Sequence, residues 1–216
     1  RMKDYVPGKA GNSSLIRPGK PGKESEQTTH LSVLDGEGNA VSVTTTLNNS
    51  YGSKTVIGGA GFLLNDEMDD FSAKPGVPNI YGAVGGAANA IEPGKRMLSS
   101  MTPTIVLKEG KPWIVVGTPG GTTIPTSVFQ ALVNIIDLKL DAETAINAPK
   151  FHHQWLPDVL YVEKGFPADV RARLEAMGYK LEERGQIGRT EIIQVLDNGT
   201  IIAVGDRRGD DDARGY

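Results

Sequence analysis

Cysteine is absent from the 216 residues, which excludes disulfides, thiol nucleophiles and zinc–thiolate centres. Histidine is scarce. His30, His152 and His153 are the only three imidazoles, and adjacent histidines on a strand point to opposite faces, so a histidine-based metal site is not expected. No apolar run approaches the ~20 residues needed to span a bilayer, and no secretory signal pattern opens the sequence. A large excess of one charge is also missing. The net charge of -3 gives no electrostatic case for nucleic acid or an anionic membrane surface. Position 1 is Arg rather than Met, and we expect the chain to be part of a longer product.

What is present is ordinary for a folded protein, with 38% hydrophobic and 23% charged residues. The 27 Gly and 13 Pro imply many tight turns between short elements. Residues 1–27 read as a connector, because Arg17-Pro18-Gly19-Lys20-Pro21-Gly22-Lys23 has no periodicity. The pattern then changes abruptly. Thr28 to Val33 and Ala40 to Thr46 read as two strands joined by a turn, with Val41 and Val43 alternating with small hydroxyl residues. Residues 49–96 are rich in glycine and loop-like, most of all 75–86.

A second strand pair is expected over Thr104 to Lys108 and Trp113 to Gly117, around the turn Glu109-Gly110-Lys111-Pro112. An apolar helix from about Ile124 to Leu138 follows, with Val128, Leu132, Ile135 and Ile136 on one face. Asp141 reads as the N-cap of a short helix that stops before Pro149. Another helix runs from about Ala168 to Met177, with Gly178 as its C-cap, and the chain closes with a hairpin over Ile192 to Leu196 and Ile201 to Val204. Strands, helices and strands again predict a layered domain containing both.

Four stretches carry side chains suited to chemistry. Gln27-Thr28-Thr29-His30 places a threonine where a connector meets a strand. A Thr hydroxyl needs a base, and the α-amine of the same residue, with a pKa of about 8, supplies one once the preceding bond is cut. A threonine opening a strand is also ordinary β-former usage. Gly117-Thr118-Pro119-Gly120-Gly121 joins a strand to a helix, so its backbone N–H groups can face a developing oxyanion; a plain turn would look the same. It lacks the Gly-Lys-Ser/Thr ending of a phosphate loop.

Asn65-Asp66-Glu67-Met68-Asp69-Asp70 holds four acids in five consecutive positions, suited to an ammonium or to solvent. The ligand order of a calcium-binding EF-hand loop is missing. Ser99 and Ser100, within Lys95-Arg96-Met97-Leu98-Ser99-Ser100-Met101-Thr102-Pro103, suit a carboxylate or a capped turn. Phe151-His152-His153-Gln154-Trp155 tempts a metal reading, but structural or packing roles are expected for both histidines.

Taken together, these blocks resemble the small subunit of the gamma-glutamyltransferase (gamma-glutamyltranspeptidase) family. The resemblance rests on Thr28-Thr29-His30-Leu31-Ser32-Val33, Thr46-Leu47-Asn48, Met68-Asp69-Asp70-Phe71-Ser72-Ala73-Lys74-Pro75-Gly76, the Lys95–Pro103 block, Gly117–Gly121 and Phe151-His152-His153-Gln154-Trp155-Leu156-Pro157, in the family's order and spacing. It covers residues 28–216, with 1–27 similar to the tail of the large subunit. It implies an α+β N-terminal nucleophile hydrolase fold, an αββα four-layer sandwich shared by two subunits of one precursor.

The resemblance further implies self-cleavage at Gln27–Thr28 and transfer of a γ-glutamyl group from glutathione or a similar donor to water or to an amino acid or peptide acceptor. By residue-wise match, Thr28 is the nucleophile, Thr46 bonds it, and Gly120 and Gly121 form the oxyanion hole. Asn48, Glu67 and Asp70 hold the substrate ammonium, and Ser99 and Ser100 its carboxylate, while Tyr81 in the 75–86 loop covers the site. Some relatives carry Gln at the position of Glu67. The resemblance implies no cofactor, a large-subunit partner that supplies a carboxylate-binding arginine, and a periplasmic or secreted location. It also implies that these residues alone expose apolar surface that the large subunit covers. Two alternatives stand beside it: an acylase of the cephalosporin or glutaryl type, and an inert uncleaved proenzyme or assembly subunit.

Overall fold

A computed structural model describes residues 28–216. The connector and Gln27 lie outside the described residues. The elements in chain order are β1 (Thr28–Leu34), β2 (Ala40–Thr46), β3 (Thr104–Lys108), β4 (Lys111–Gly117), α1 (Ile124–Ile136), α2 (Ala142–Asn147), β5 (Phe151–His152), β6 (Leu160–Glu163), α3 (Ala168–Ala176), β7 (Leu181–Arg184), β8 (Glu191–Val195) and β9 (Ile201–Val204). Most follow the expected spans within two residues. The α1 helix ends at Ile136, two residues early, and a third sheet built from β5, β6 and β7 was not foreseen. The β3–β4 turn is tighter than expected. Glu109 (φ 53°) and Gly110 (φ 78°) make a two-residue turn with both residues left-handed, and Lys111 and Pro112 already belong to β4.

The central sheet runs β3-β4-β8-β9, antiparallel throughout. Alternation places Ile114, Val116 and Ile192 on one face, where they pack with Val128, Ala131 and Ile135 of α1 and Ala142, Ala145 and Ile146 of α2. This is the main core. Asp141 caps α2 as expected, its Oδ1 accepting from Thr144 N at 2.9 Å. The opposite face carries the β1–β2 hairpin, with Ser42 Oγ donating to Val116 O at 3.1 Å. Helices, central sheet and hairpin therefore form three layers.

The hairpin is inverted relative to an ordinary surface sheet. Its inner face presents Thr28, His30, Ser32, Ser42, Thr44 and Thr46, while its outer face exposes Leu31, Val33, Val41 and Val43, each more than 40% accessible. The polar inner groups satisfy one another. His30 Nδ1 lies 2.8 Å from Thr44 Oγ1 and Nε2 lies 3.0 Å from Ser32 Oγ. The ring rests on Gly117, where a Cβ would overlap it.

A buried ionic network fixes the base of the molecule. Lys150 Nζ meets Asp206 Oδ2 at 2.8 Å with both side chains almost fully buried, and Arg208 bonds Glu163 at 2.6 Å and Asp206 at 3.0 Å. Burial opposes the Asp206 charge, but the Lys150 ammonium outweighs it and holds the carboxyl below its usual range. Arg208 also donates to Ile146 O and Ala148 O, satisfying carbonyls orphaned at the end of α2. The same carboxylates hold the 187–190 loop, Glu163 Oε1 accepting from Ile187 N and Asp206 Oδ2 from Thr190 N. Arg189 N in turn donates to the fully buried Thr118 Oγ1 at 2.8 Å. The charges thus brace the glycine turn after β4 from behind.

Candidate active site

Thr28 opens β1 on its inner face and is 5% exposed. Register pairs it with Thr46, the last residue of β2, and Thr28 Oγ1 donates to Thr46 Oγ1 at 3.0 Å. Thr46 Oγ1 also accepts from Asn48 N at 2.9 Å. With two donors on its oxygen, the Thr46 hydroxyl keeps its own proton to offer, and it can turn toward Thr28 if that oxygen becomes anionic. Asn48 is buried in a left-handed conformation (φ 72°), which Asn tolerates better than most residues. There its carbonyl accepts from Tyr81 Oη at 2.6 Å and its Nδ2 donates to Asp66 O at 3.2 Å.

Tyr81 carries the site across to the glycine turn. A Cβ on Gly121 would sit 3.1 Å from the Tyr81 ring, so that ring lies against the turn. Gly120 (φ 147°) and Gly121 (φ 54°) adopt backbone conformations that L side chains rarely take, and a Cβ on Gly120 would crowd Thr123 Oγ1. Thr123 Oγ1 and N both donate to Gly120 O, at 2.8 and 3.0 Å, fixing the entry to α1. Thr28, Thr46, Asn48, Tyr81 and Gly121 therefore form one unbroken chain of contacts.

The acidic turn lies beside it. Glu67 and Asp70 share a 3-10 turn that follows Asp66, the residue bonded to Asn48. Burial pushes the Glu67 carboxyl up to about 7, and the charge of Asp70, a hydrogen bond with it and the charge of Asp66 add to this. Burial raises Asp70 too, against the opposing hydrogen bond from Glu67. Two half-buried acids facing each other make a place where a cation relieves the strain. Ser99 and Ser100 follow on a segment bonded to the same turn: Leu98 N donates to Asn89 Oδ1, and Asn89 Nδ2 to Asp70 O at 2.7 Å. Ser99 Oγ accepts from Met101 N, and Ser100 O accepts from Thr102 Oγ1. Both bonds stay within the 99–102 segment.

Of the adjacent histidines, His152 is buried and bonds Thr126 Oγ1 and Gln154 Oε1, while His153 meets Asp158 at 3.1 Å, so they do point apart. No metal-like cluster of three or more His, Cys, Asp or Glu occurs among the described residues. Sequence reasoning missed Thr122 and Gln154, which bond each other beside Gly121. The flagged glycine turn and histidine block were the only signal.

With this geometry in view, the gamma-glutamyltranspeptidase family model matches residues 5–216. The chain belongs to the gamma-glutamyltranspeptidase family. Within that family it is 57% identical over 205 residues to the glutathione hydrolase proenzyme of Escherichia coli K12, covering 94% of this chain and 35% of that protein. To the glutathione hydrolase proenzyme of Pseudomonas aeruginosa it is 55% identical over 194 residues, covering 88% of this chain and 35% of that protein. The chain spans about a third of the length of these curated relatives.

Among solved structures, it is similar to the gamma-glutamyltranspeptidase T380A mutant of Helicobacter pylori, at 56% identity and a TM-score of 0.80, over 84% of this chain and 100% of that one. A cephalosporin acylase from Bacillus halodurans shares 26% identity and a TM-score of 0.74, over 90% of this chain and 37% of that one. The α+β fold is that of the N-terminal nucleophile hydrolases to which these gamma-glutamyltranspeptidases belong.

Proposed function

We propose that residues 28–216 form the catalytic small-subunit part of a γ-glutamyl transferase and hydrolase, and that residues 1–27 are the tail of a large subunit from the same precursor. The observation that carries this reading is the position of Thr28. It is the first strand residue, buried, with its hydroxyl 3.0 Å from Thr46 Oγ1, and it is linked through Asn48 and Tyr81 to Gly121. Cleavage of Gln27–Thr28 by the precursor itself frees the Thr28 amine. That amine takes the hydroxyl proton, and Oγ1 attacks the γ-carbonyl of glutathione or a related γ-glutamyl amide. Gly120 and Gly121 N–H groups stabilise the oxyanion, each contributing about 10²–10³ in rate.

The leaving amine departs with the proton, and a γ-glutamyl ester remains on Thr28. Water or the amine of an amino acid or peptide then releases it, which gives ping-pong kinetics. Asn48, Glu67 and Asp70 receive the substrate ammonium, since paired acids are relieved by a cation. Ser99 and Ser100 receive its carboxylate together with an arginine of the large subunit, and Tyr81 roofs the bound glutamyl group. The reaction as drawn uses no cofactor or metal ion. The exposed apolar face of β1–β2 suits burial against the large subunit, the fourth layer of the sandwich. Kinship with bacterial proenzymes supports a periplasmic or secreted location.

The acylase reading is kept open by the likeness to the cephalosporin acylase. An acylase has no need of an ammonium pocket, and Asn48 with the Glu67–Asp70 pair favours the γ-glutamyl reading. An uncleaved precursor would be inert, because Thr28 would lack its amine. The test is an intact-mass spectrum of the full-length precursor, wild type beside Thr28→Ala, followed by turnover of γ-glutamyl-p-nitroanilide. Wild type should split before Thr28 and release nitroaniline, and the variant should do neither. Splitting without turnover would move the acylase ahead, and an unsplit wild type would leave the inert-subunit reading.

A further inference from the structure

Gln154 bonds the α1 end of the glycine turn, the buried His152 and the Tyr81 loop at once. Its Oε1 accepts from Thr122 Oγ1 at 2.8 Å and lies 2.9 Å from His152 Nε2. Its Nε2 donates to Tyr81 O and to Leu156 O, both at 3.3 Å. A Cβ on the next residue, Gly82, would touch the same amide nitrogen at 3.7 Å, so the loop backbone passes directly over it. His152 is 1% exposed and is itself fixed through Nδ1 by Thr126 Oγ1 at 2.8 Å. Its Nε2–H tautomer suits the acceptor Oε1. The base beneath Gln154 is therefore rigid, and what it holds is a loop.

That loop also meets the rest of the site through Tyr81 Oη on Asn48 O and the Tyr81 ring on Gly121, and through Ile80 N, which donates to Asp69 Oδ2 of the acidic turn at 3.2 Å. Gln154 holds the carbonyl of Tyr81 itself, and so helps to set where the ring sits. We propose that Gln154 is a positioning residue that latches the Tyr81 loop to the glycine turn, and thereby sets how tightly a γ-glutamyl donor is retained beneath Tyr81. This rests on the function proposed above. The chemistry of the amide is specific to the task. A primary amide presents an acceptor and a donor on one planar group. A carboxylate of the same shape would keep the Thr122 bond but turn an anion toward two carbonyl oxygens. A thioether would fill the space while neither donating nor repelling.

The test uses the full-length precursor carrying Gln154→Glu or Gln154→Met. Cleavage by chymotrypsin within 75–86, mapped by mass, should accelerate in the order wild type, Gln154→Met, Gln154→Glu, reaching about five- to tenfold in the last, as loss of a buried hydrogen bond implies. KM for γ-glutamyl-p-nitroanilide should rise in the same order while kcat stays within about twofold, because the reacting groups are untouched. Loop cleavage at the wild-type rate in both variants would overturn the latch. A fall in kcat at constant KM would overturn it too, by showing that Gln154 acts through Thr122 on the glycine turn. Should wild type fail to turn over the nitroanilide, the functional reading falls, while the cleavage rates still decide the latch.

Discussion

The paired acids of the 67–70 turn make a charge-dependent site whose pH behaviour can be stated in advance. Glu67 titrates near 7 because burial, the Asp70 and Asp66 charges and a hydrogen bond with Asp70 all favour its neutral form. Folding therefore prefers the protonated carboxyl, and the stability this group contributes is present below its ordinary pKa and lost as pH rises toward 7. Cation binding has the opposite sign, since an ammonium favours the charged form and must displace the shared proton. We expect KM for a γ-glutamyl donor to rise as pH falls from 8 to 6, as it must if protonation closes the ammonium site. Glu67→Gln should flatten that limb. Steady-state kinetics across this range check the point, and a wild-type KM independent of pH would contradict it.

At the scale of elements, the hairpin and the central sheet are held at a distance set by His30 and Gly117. The imidazole is bonded at both nitrogens and lies where a Gly117 Cβ would be. Burial lowers its pKa to about 4, so it packs as a neutral ring at physiological pH. Gly117→Ala should therefore destabilise the protein by about 1–3 kcal/mol through overpacking, read from urea unfolding. The His30→Ala,Gly117→Ala double variant should cost less than the sum of the two singles, because removing the ring removes the clash. Additive costs would mean that the ring does not set this spacing.

The first hairpin and α1 were legible from their periods, the β3–β4 pair from its turn residues, and α2 and α3 from the capping residues Asp141 and Gly178. The third sheet was not. Its strands, Phe151–His152, Leu160–Glu163 and Leu181–Arg184, are two to four residues long. Runs so short show no period, and their pairing depends on α1 and α3 being in place. The inverted burial of β1 and β2 was equally hidden. Alternation shows that two faces differ, and only packing shows that the polar one lies inside.

For the whole molecule, Leu31, Val33, Val41 and Val43 make an exposed apolar face, which under the proposed function is the face the large subunit covers. Replacing Leu31 and Val43 by Lys in the full-length precursor should leave the helix-packed core intact yet weaken association of the two halves, as buried unpaired charge implies. Size-exclusion chromatography after cleavage would show separated subunits. Unaltered co-elution would place the large subunit elsewhere. The candidate site residues could be named one by one because their motifs resemble those of a known family. What no single stretch could reveal was the joining of distant stretches, such as Tyr81 to Asn48 across 33 positions and Gln154 to Tyr81 across 73. Those contacts exist only once the loop has folded over the hairpin end.

The central claim is that Thr28 carries the transferred group, and the most direct measurement is to catch it there. Cleaved protein is mixed briefly with γ-glutamyl-p-nitroanilide, quenched in acid, digested and mapped by mass spectrometry. A peptide beginning at Thr28 and heavier by one γ-glutamyl group, with the label on its first residue, is the predicted result. Nitroaniline release with the label on another residue, or with no labelled peptide at any quench time, would contradict the account.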